Sequence, residues 1–141
     1  MAITFHPARW SILICDFDTG FKEPEMVKRR LVIVVSEVTK GREGLCTVVP
    51  LSATEPEVLR PFHHKMNPYS LPDSYRNKIM WAKCDMLYAV GLHRLDRVRL
   101  GKKKGTSERI YYNGLAILED IQGVKKGILH GLRMDTLTQY I

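Results

Sequence analysis

The nine-residue stretch KRRLVIVVS, residues 28–36, decides how the chain folds. Its centre, residues 31–35, consists of five apolar residues, four of them β-branched, and such a run is typical of a buried β-strand. Three cations, Lys28, Arg29 and Arg30, come immediately before it. Two interpretations are open: the cations form a solvated strand end, or a guanidinium is held at the mouth of the strand to face an anion.

Apolar strands are also predicted on both sides of this stretch. SILICDF at 11–17 and LCTVVPLS at 45–52 have strand character, and the turn GREG at 41–44 precedes the second of them. Three successive apolar strands with short connections predict a meander. Pro50 cannot donate a backbone hydrogen bond, so we expect it at a sheet edge or a strand end.

The second half of the chain alternates between polar connections and shorter strands. A proline-bearing connection over 53–78 is expected to hold one short strand near 62–66. Strand character resumes over 79–91, and the alternating segment 92–100 pairs back through the turn GKKKG as a hairpin.

A C-terminal helix follows, with Asn113 as its expected N-cap and apolar residues at helical spacing. Gly123, Gly127 and Gly131 are each four residues apart and share one face of this helix. The glycines either allow close approach to a sheet or a partner, or they weaken the helix. The residues therefore predict a mainly β protein, a small barrel or curled antiparallel sheet with a C-terminal α-helix, in a single domain over residues 1–141.

The charge balance favours a polyanionic partner. Lys and Arg number 22 against 15 Asp and Glu, which gives a net charge of +7. Such a charge is expected for a protein that binds nucleic acid or an acidic protein, but it also occurs in soluble basic proteins without such a partner. No run of about 18 apolar residues is present, and the first residues have no signal-peptide pattern, so neither a membrane span nor export is expected. The three cysteines are widely spaced, which favours reduced thiols in a cytoplasmic protein.

Known cofactor and metal motifs are missing from the sequence. His63 and His64 are adjacent, so their side chains diverge on a strand, and no Cys/His spacing matches a zinc site. No Gly-rich phosphate loop or nucleophile elbow occurs. We therefore expect no metal and no cofactor, and the candidate groups are polar residues at strand ends.

Five segments, taken in order, resemble the motifs of one family, the MazF/PemK/Kid toxins of bacterial type II toxin–antitoxin systems. The resemblance spans about residues 10–132. ILICDFDTG matches a first strand that ends in a DFDP-type sequence, and PEMVKRRLVIVVS matches an acid, a short loop, Arg-Pro, an apolar strand and Ser. LCTVVPLSAT matches Val-Val-Pro followed by a hydroxyl residue, and WAKCDMLYAV matches a strand with a basic residue and then Cys-Asp. HRLDRV matches the segment after that strand.

This resemblance implies an SH3-like barrel that forms a homodimer. It also implies a metal-independent endoribonuclease that cleaves single-stranded RNA through 2′-hydroxyl attack and is neutralised by a cognate acidic antitoxin. Arg30 takes the place of the family's catalytic arginine, and Ser52 that of a threonine whose hydroxyl contacts the scissile phosphate. Asp85 and Lys83 take the places of an aspartate and an arginine with acid–base and phosphate roles in one branch.

Other residues are expected to bind RNA around this centre. The resemblance places Glu25 and Asp16 among acidic residues flanking the site, while Lys28 and Arg29 are either solvated or touch neighbouring phosphates. Asp85 and Glu25 are alternative candidates for the general base. One branch of the family has a histidine near the position of Pro24; His63 or His64 could substitute for it, and His64 is included among the RNA-binding residues.

Besides Pro24, two positions depart from the family's pattern. Leu31 stands where the family usually has proline, and Ser52 replaces threonine, which keeps the hydroxyl but loses the constraining β-methyl. These departures motivate an alternative function, a catalytically silent relative that binds nucleic acid or a protein.

Overall fold

The computed structural model describes residues 2–141, which contain nine β-strands and one α-helix. The strands are β1 (Ile12–Asp16), β2 (Arg29–Val34), β3 (Leu45–Ser52), β4 (His63–Lys65), β5 (Trp81–Lys83), β6 (Tyr88–Gly91), β7 (Leu95–Arg97), β8 (Arg99–Lys102) and β9 (Arg109–Tyr111). The helix α1 is Leu118–Gly131, and short 3-10 turns lie at Pro68–Ser70, Asp73–Tyr75, Leu92–Arg94 and Asp135–Tyr140.

Strands β1 to β7 form one antiparallel sheet in the order β4-β5-β3-β2-β1-β7, with β6 also paired to β3. The adjacency of β1, β2 and β3 confirms the predicted meander. β8 and β9 form the predicted hairpin, but only the end of the segment 92–100 belongs to it, because β7 pairs with β1. In the part of the chain that the structure describes, the edge strands β4 and β7 do not pair, so the sheet is open. The mainly β architecture with a C-terminal helix is confirmed, whereas closure into an SH3-like barrel is not.

The apolar run of the opening stretch is explained by the position of β2 in the sheet. β2 lies between β1 and β3, and residues 31–34 are all buried. Leu31 and Ile33 join one apolar cluster, while Val32 and Val34 join the other. Since side chains alternate along a strand, β2 contributes to a core on each face of the sheet.

Pro50 lies inside the sheet, opposite Val32, and not at an edge or strand end as expected. Val35 N donates to Thr47 O, so in the alternating antiparallel pattern the Val32–Pro50 pair exchanges no hydrogen bonds and the Pro50 nitrogen faces away from β2. On that side the partner of β3 changes from β6, paired at Leu45–Val48, to β5, paired at Leu51–Ser52. The proline therefore occupies the gap between two ladders, where its missing N–H costs no hydrogen bond.

Helix α1 begins later than predicted. Its N-cap is Ile117, and the expected cap, Asn113, lies four residues earlier in extended chain. Ala116 N donates to Trp10 O, and Leu115 bridges to Ser11, so this segment is tied to the chain just before β1. Tertiary pairing thus overrides the local capping signal.

The glycine stripe of α1 faces β4 and the turn after β5. A Cβ on Gly127 would lie 2.6 Å from Cys84 Sγ, and one on Gly131 would lie 2.9 Å from Asp85 Cα. A Cβ on Gly123 would overlap the ring of His64. The stripe therefore allows close approach of the helix to the sheet, the first of the two alternatives that the sequence left open.

All three cysteines are buried and free. Burial raises the pKa of Cys15 and of Cys84 to about 12 and that of Cys46 to about 11. The thiols therefore act as small apolar core groups. Among residues 2–141, no helix has the length and apolar character needed to cross a membrane.

Candidate active site

Arg30 and Ser52 meet where β2 begins and β3 ends. The register of β2 against β3 pairs Val32 with Pro50, and continuing it by two residues places Arg30 directly opposite Ser52. Arg30 Nη1 donates to Ser52 Oγ at 3.4 Å. The strands thus bring together the two residues that the resemblance placed on the scissile phosphate.

The Arg30 guanidinium is only partly satisfied. Its Nε is buried without a hydrogen-bond partner, and among the described residues no carboxylate lies within ion-pairing distance of it. Ser52 is 4% exposed and its Oγ also accepts from Thr54 N at 3.1 Å. With both Ser52 lone pairs occupied by N–H donors, its hydroxyl proton remains free to donate. The pair can therefore present several donors to an anion.

An aromatic and cationic wall lies next to Ser52. Trp81 pairs with Ser52 across β3 and β5, and Lys65 pairs with Trp81 across β4 and β5, so the three side chains share one face of the sheet. A cavity of about 450 Å³ opens beside them. It is lined by Ala53, Glu55, Lys65, Asn77, Lys78, Ile79 and Trp81.

Lys83 and His63 form a second group on the same face, with Asp85 nearby. His63 pairs with Lys83 across β4 and β5, and Asp85 follows in the turn after β5 rather than in the predicted continuous strand. Burial lowers the pKa of His63, and the positive charges of Lys83 and Arg60 lower it further, against the opposing effect of Asp85. Arg60 N donates to His63 Nδ1 at 3.0 Å, so the neutral ring carries its proton on Nε2.

His64 does not join this group. It points to the opposite face, where its Nε2 lies 2.8 Å from Oδ1 of Asp120, a fully buried carboxylate of α1. Asn67 N and Ser70 Oγ also donate to Asp120. These hydrogen bonds hold the segment after β4 against the start of α1. His64 is therefore part of a buried polar network and does not lie beside Arg30.

The neighbouring cations are exposed. Lys28 lies in the loop before β2, and Arg29 begins the strand opposite Asp16 of β1. Neither makes an ion pair in the described part of the chain. Both are therefore open to solvent or to an anion at the strand mouth.

The two predicted flanking acids have local roles in the loop between β1 and β2. Asp16 Oδ1 accepts from Asp18 N at 2.8 Å, and Glu25 Oε1 accepts from Lys22 N at 3.4 Å. The structure brings neither carboxylate into an ion pair with Arg30. Their contacts shape the loop that leads into β2.

That loop is anchored by an aromatic cluster. Phe17, Phe21 and Tyr88 have ring centroids 5.2 to 5.6 Å apart, and Tyr88 Oη accepts from Met26 N at 2.9 Å. The guanidinium of Arg94 covers Phe21 at 4.6 Å. Fixing the loop in this way fixes the entry of the chain into β2, and hence the position of Arg30.

Sequence reasoning missed Trp81 and did not separate His63 from His64. The pattern showed that adjacent histidines diverge on a strand, but the face that each one takes depends on the register of β4 against β5. Trp81 lies at the start of a short strand, and only its pairing with Ser52 reveals its place. Across residues 2–141, no three His, Cys, Asp or Glu side chains gather in an arrangement that could hold a metal ion.

Comparison with solved structures shows the same fold in several toxins. MazF from Deinococcus radiodurans superposes with a TM-score of 0.63 at 16% identity, covering 93% of this chain and 100% of that one. An endoribonuclease in complex with its cognate antitoxin, from mycobacterial species, gives a TM-score of 0.58 at 15% identity, covering 91% and 96%. The Mycobacterium tuberculosis toxin MazF-mt6 gives 0.58 at 16% identity, covering 89% and 98%.

Sequence comparison is more specific. The uncharacterized protein YifN of Escherichia coli (strain K12) is 33% identical, and the match covers 70% of this chain and 78% of that protein. The family model for the PemK-like, MazF-like toxin of type II toxin–antitoxin systems matches residues 8–114, which include Arg30, Ser52, Trp81 and Lys83. The chain therefore belongs to the PemK-like, MazF-like toxin family of type II toxin–antitoxin systems.

Proposed function

We propose that this protein is a metal-independent endoribonuclease toxin that cleaves single-stranded RNA. The main support is Arg30, whose buried Nε lacks a hydrogen-bond partner and whose charge lacks a carboxylate among the described residues. An uncompensated, partly buried cation is costly, so it indicates a site that an anion completes. A phosphodiester of RNA fits a guanidinium with a neighbouring hydroxyl donor.

In this proposal Arg30 and Ser52 hold the scissile phosphate. The RNA 2′-hydroxyl attacks the adjacent phosphorus, its proton passes to a base, and the leaving 5′-oxygen takes a proton from a donor. The products are a 2′,3′-cyclic phosphate and a 5′-hydroxyl. Arg30 and the hydroxyl of Ser52 stabilise the charge that builds on the phosphoryl oxygens.

Lys83, Asp85 and His63 are the candidates for the remaining roles. Asp85 is an exposed carboxylate that can accept the 2′-hydroxyl proton, with Glu25 as the alternative base. Lys83 adds positive charge, and the Nε2–H of neutral His63 can donate to a phosphoryl oxygen. Lys28 and Arg29 are exposed and available to flanking phosphates.

Trp81 supplies a surface for a base. Its side chain lies beside Ser52 at the edge of the cavity of about 450 Å³. Stacking on an aromatic ring is the usual way in which single-stranded RNA is held, because the bases are free of pairing partners. A base next to the scissile phosphate is therefore assigned to Trp81.

We further propose that residues 1–141 form a single toxin domain and that its active form is a homodimer. Its natural inhibitor is proposed to be an acidic antitoxin. The net charge of +7 and the exposed cations at the strand mouth suit an acidic segment that competes with RNA. The solved endoribonuclease bound to its cognate antitoxin has the same fold as this chain. Light scattering of the purified protein measures the oligomeric state directly.

The chemistry of the cut ends tests the proposal. The purified protein is incubated with a defined single-stranded transcript in excess EDTA, and the fragments are mapped. We expect 5′-hydroxyl ends with cyclic or 3′-phosphate partners, and no cut at a nucleotide carrying 2′-deoxyribose. RNA binding without any cleavage would instead support the silent binding module.

A further inference from the structure

A second cationic cavity lies near the group of Lys83, Asp85 and His63. It has a volume of about 360 Å³ and is enclosed by the segment before β4 and by the residues that end and follow α1. Its lining residues are Arg60, Pro61, Phe62, His130, Arg133 and Asp135. Two arginines and a histidine thus oppose a single carboxylate.

The charges in this cavity are not consumed by ion pairs. Within residues 2–141, neither Arg60 nor Arg133 lies within 4.0 Å of a carboxylate oxygen, although Asp135 lines the same cavity. Surface arginines are common, but two unpaired ones around one concavity concentrate positive potential there. The cavity is therefore suited to an anion.

Arg133 has a left-handed backbone in a helix-capping position where glycine is the usual residue. Arg133 has a φ of 60°, the left-handed conformation that glycine adopts most easily. It occupies the residue after the helix cap, where Arg133 N donates to His130 O and Met134 N to Leu129 O. A glycine would suit this motif better, so a non-glycine residue held here points to a functional side chain.

The cavity lies next to the group of Lys83, Asp85 and His63, since Phe62, one of its lining residues, directly precedes His63. Cys84 N donates to Phe62 O at 3.1 Å, and a Cβ on Gly131 would lie 2.9 Å from Asp85 Cα. The cavity walls thus touch the turn that carries Asp85. A strand of RNA bound at Arg30 and passing Lys83 would reach the cavity next.

We infer that this cavity is a second phosphate subsite, which holds a backbone phosphate of the same RNA strand through Arg60 and Arg133. The identity of the ligand rests on the proposed function, whereas the phosphate chemistry rests on the cavity itself. Arg60 lies within the family match over residues 8–114, whereas His130 and Arg133 lie beyond it, so the C-terminal segment supplies one side of this subsite. Asp135 opposes the anion and sets an upper limit on the affinity.

Binding of an uncleavable strand separates this inference from the proposed reaction. A fluorescent, fully 2′-O-methylated oligonucleotide has no free 2′-hydroxyl, so its affinity for the protein can be measured by anisotropy whether or not cleavage occurs. Loss of one phosphate contact lowers the slope of log K against log salt by about 0.7, which amounts to roughly fivefold in affinity at 0.1 M salt. We expect that effect for Arg60→Gln and for Arg133→Gly, and tighter binding for Asp135→Asn.

Arg133→Gly gives the sharpest result because its two effects have opposite signs. Glycine relieves the left-handed backbone, so Tm should rise by about 3–5 °C while RNA affinity falls. A merely structural arginine would not weaken binding in a more stable protein. Arg42→Gln is the matched control, since Arg42 is an exposed arginine in the turn before β3, at the opposite end of that strand from Ser52.

Three results would overturn the inference. The first is an unchanged affinity for Arg60→Gln and Arg133→Gly. The second is an equal loss for Arg42→Gln, which would reflect net charge alone. The third is a combination of two findings: inorganic phosphate raises the Tm of the wild-type protein but not of Arg60→Gln, and the oligonucleotide affinity of Arg60→Gln is unchanged. The cavity would then bind free phosphate rather than RNA.

Discussion

At the scale of single residues, the proposed chemistry depends on side chains that share one face of the sheet through strand register. Trp81 is opposite Ser52, and His63 is opposite Lys83. None of these contacts depends on a long flexible loop. Groups fixed on strands keep their geometry better than groups on loops, which suits a site that must position a phosphate.

Trp81→Ala is expected to weaken RNA binding. Removing the ring abolishes stacking of a base beside the scissile phosphate, which should cost about 1–3 kcal/mol of binding free energy. The affinity for a 2′-O-methylated oligonucleotide measures the loss, and Trp81→Phe should retain most of the wild-type affinity. Equal affinities for wild type and Trp81→Ala would show that no base stacks there.

The two adjacent histidines are expected to fail in different ways. His64→Gln removes a partner of the buried Asp120 carboxylate, so the free energy of unfolding should fall by about 1–3 kcal/mol, with cleavage per folded molecule retained. His63→Gln should leave stability nearly unchanged and slow cleavage by about tenfold or more, through loss of a hydrogen bond to a charged oxygen. Urea denaturation and single-turnover cleavage, measured on both variants, distinguish the structural role of His64 from the catalytic role of His63. Slow cleavage by a stable His64→Gln protein, together with a destabilised but active His63→Gln protein, would reverse these assignments.

At the scale of secondary-structure elements, the approach of α1 to the sheet fixes the position of the turn carrying Asp85. Gly127 lies against Cys84, and Gly131 lies against the backbone of Asp85. A helix with ordinary side chains at these positions could not lie so close to β5. The glycine stripe is therefore a packing device that also places a candidate catalytic group.

Gly127→Ala is expected to destabilise the protein, although the same change in an exposed helix position stabilises by about 1 kcal/mol. The added methyl would meet Cys84 Sγ at 2.6 Å and Phe62 O at 3.3 Å. Such overpacking costs about 1–3 kcal/mol, which chemical denaturation can measure. Lys126→Ala on the exposed side of α1 is the control, and Cys84→Ala should partly rescue Gly127→Ala. A stabilised Gly127→Ala protein would contradict the packing described for this face.

At the scale of the whole molecule, the core is built on both faces of one sheet, and the three thiols lie within it. The pKa of each thiol is higher in the folded chain than the ordinary value of 9.0, reaching about 11 to 12 because of burial. Unfolding therefore releases protons above pH 9. The stability that the thiols contribute is complete below about pH 9 and is lost as the pH rises through 11 to 12.

Thiol alkylation tests this arrangement. At pH 8.5 iodoacetamide should modify the native protein far more slowly than the protein in guanidinium chloride, because folded thiols remain protonated and shielded. Denaturation midpoints should fall between pH 8 and pH 10. Rapid alkylation of one cysteine in the native protein would show that its segment is open to solvent.

The sequence predicted the central strands well because a short run of apolar, β-branched residues is typical of a strand that is buried on both faces of a sheet. The predicted strand over 45–52 coincides with β3, and Arg30 and Ser52, which the resemblance assigns to one site, lie within hydrogen-bonding distance. The errors arose where tertiary pairing decides. Pro50 sits in a gap between two ladders that no local pattern indicates, and Asn113 is a good cap in a segment that pairs with the chain before β1.

The same limit applies to the candidate site. The face taken by His63 or His64 follows from the register of β4, and the cavity of Arg60 and Arg133 joins segments about 70 residues apart in the sequence. Whether the predicted sheet closes into a barrel or stays open likewise depends on strand pairing at its edges, which alternation alone does not reveal.

The central claim, that Arg30 acts on a phosphodiester, is tested most directly by single-turnover cleavage of one defined single-stranded RNA in EDTA by wild type, Arg30→Lys and Arg30→Ala. By analogy with other charge-stabilising donors, Arg30→Ala should lose about 2.7–4 kcal/mol of transition-state stabilisation, or roughly 10²–10³ in rate. Arg30→Lys should recover only part of this, since an ammonium cannot reproduce the guanidinium fork. Cleavage by a folded Arg30→Ala protein at the wild-type rate would contradict the account.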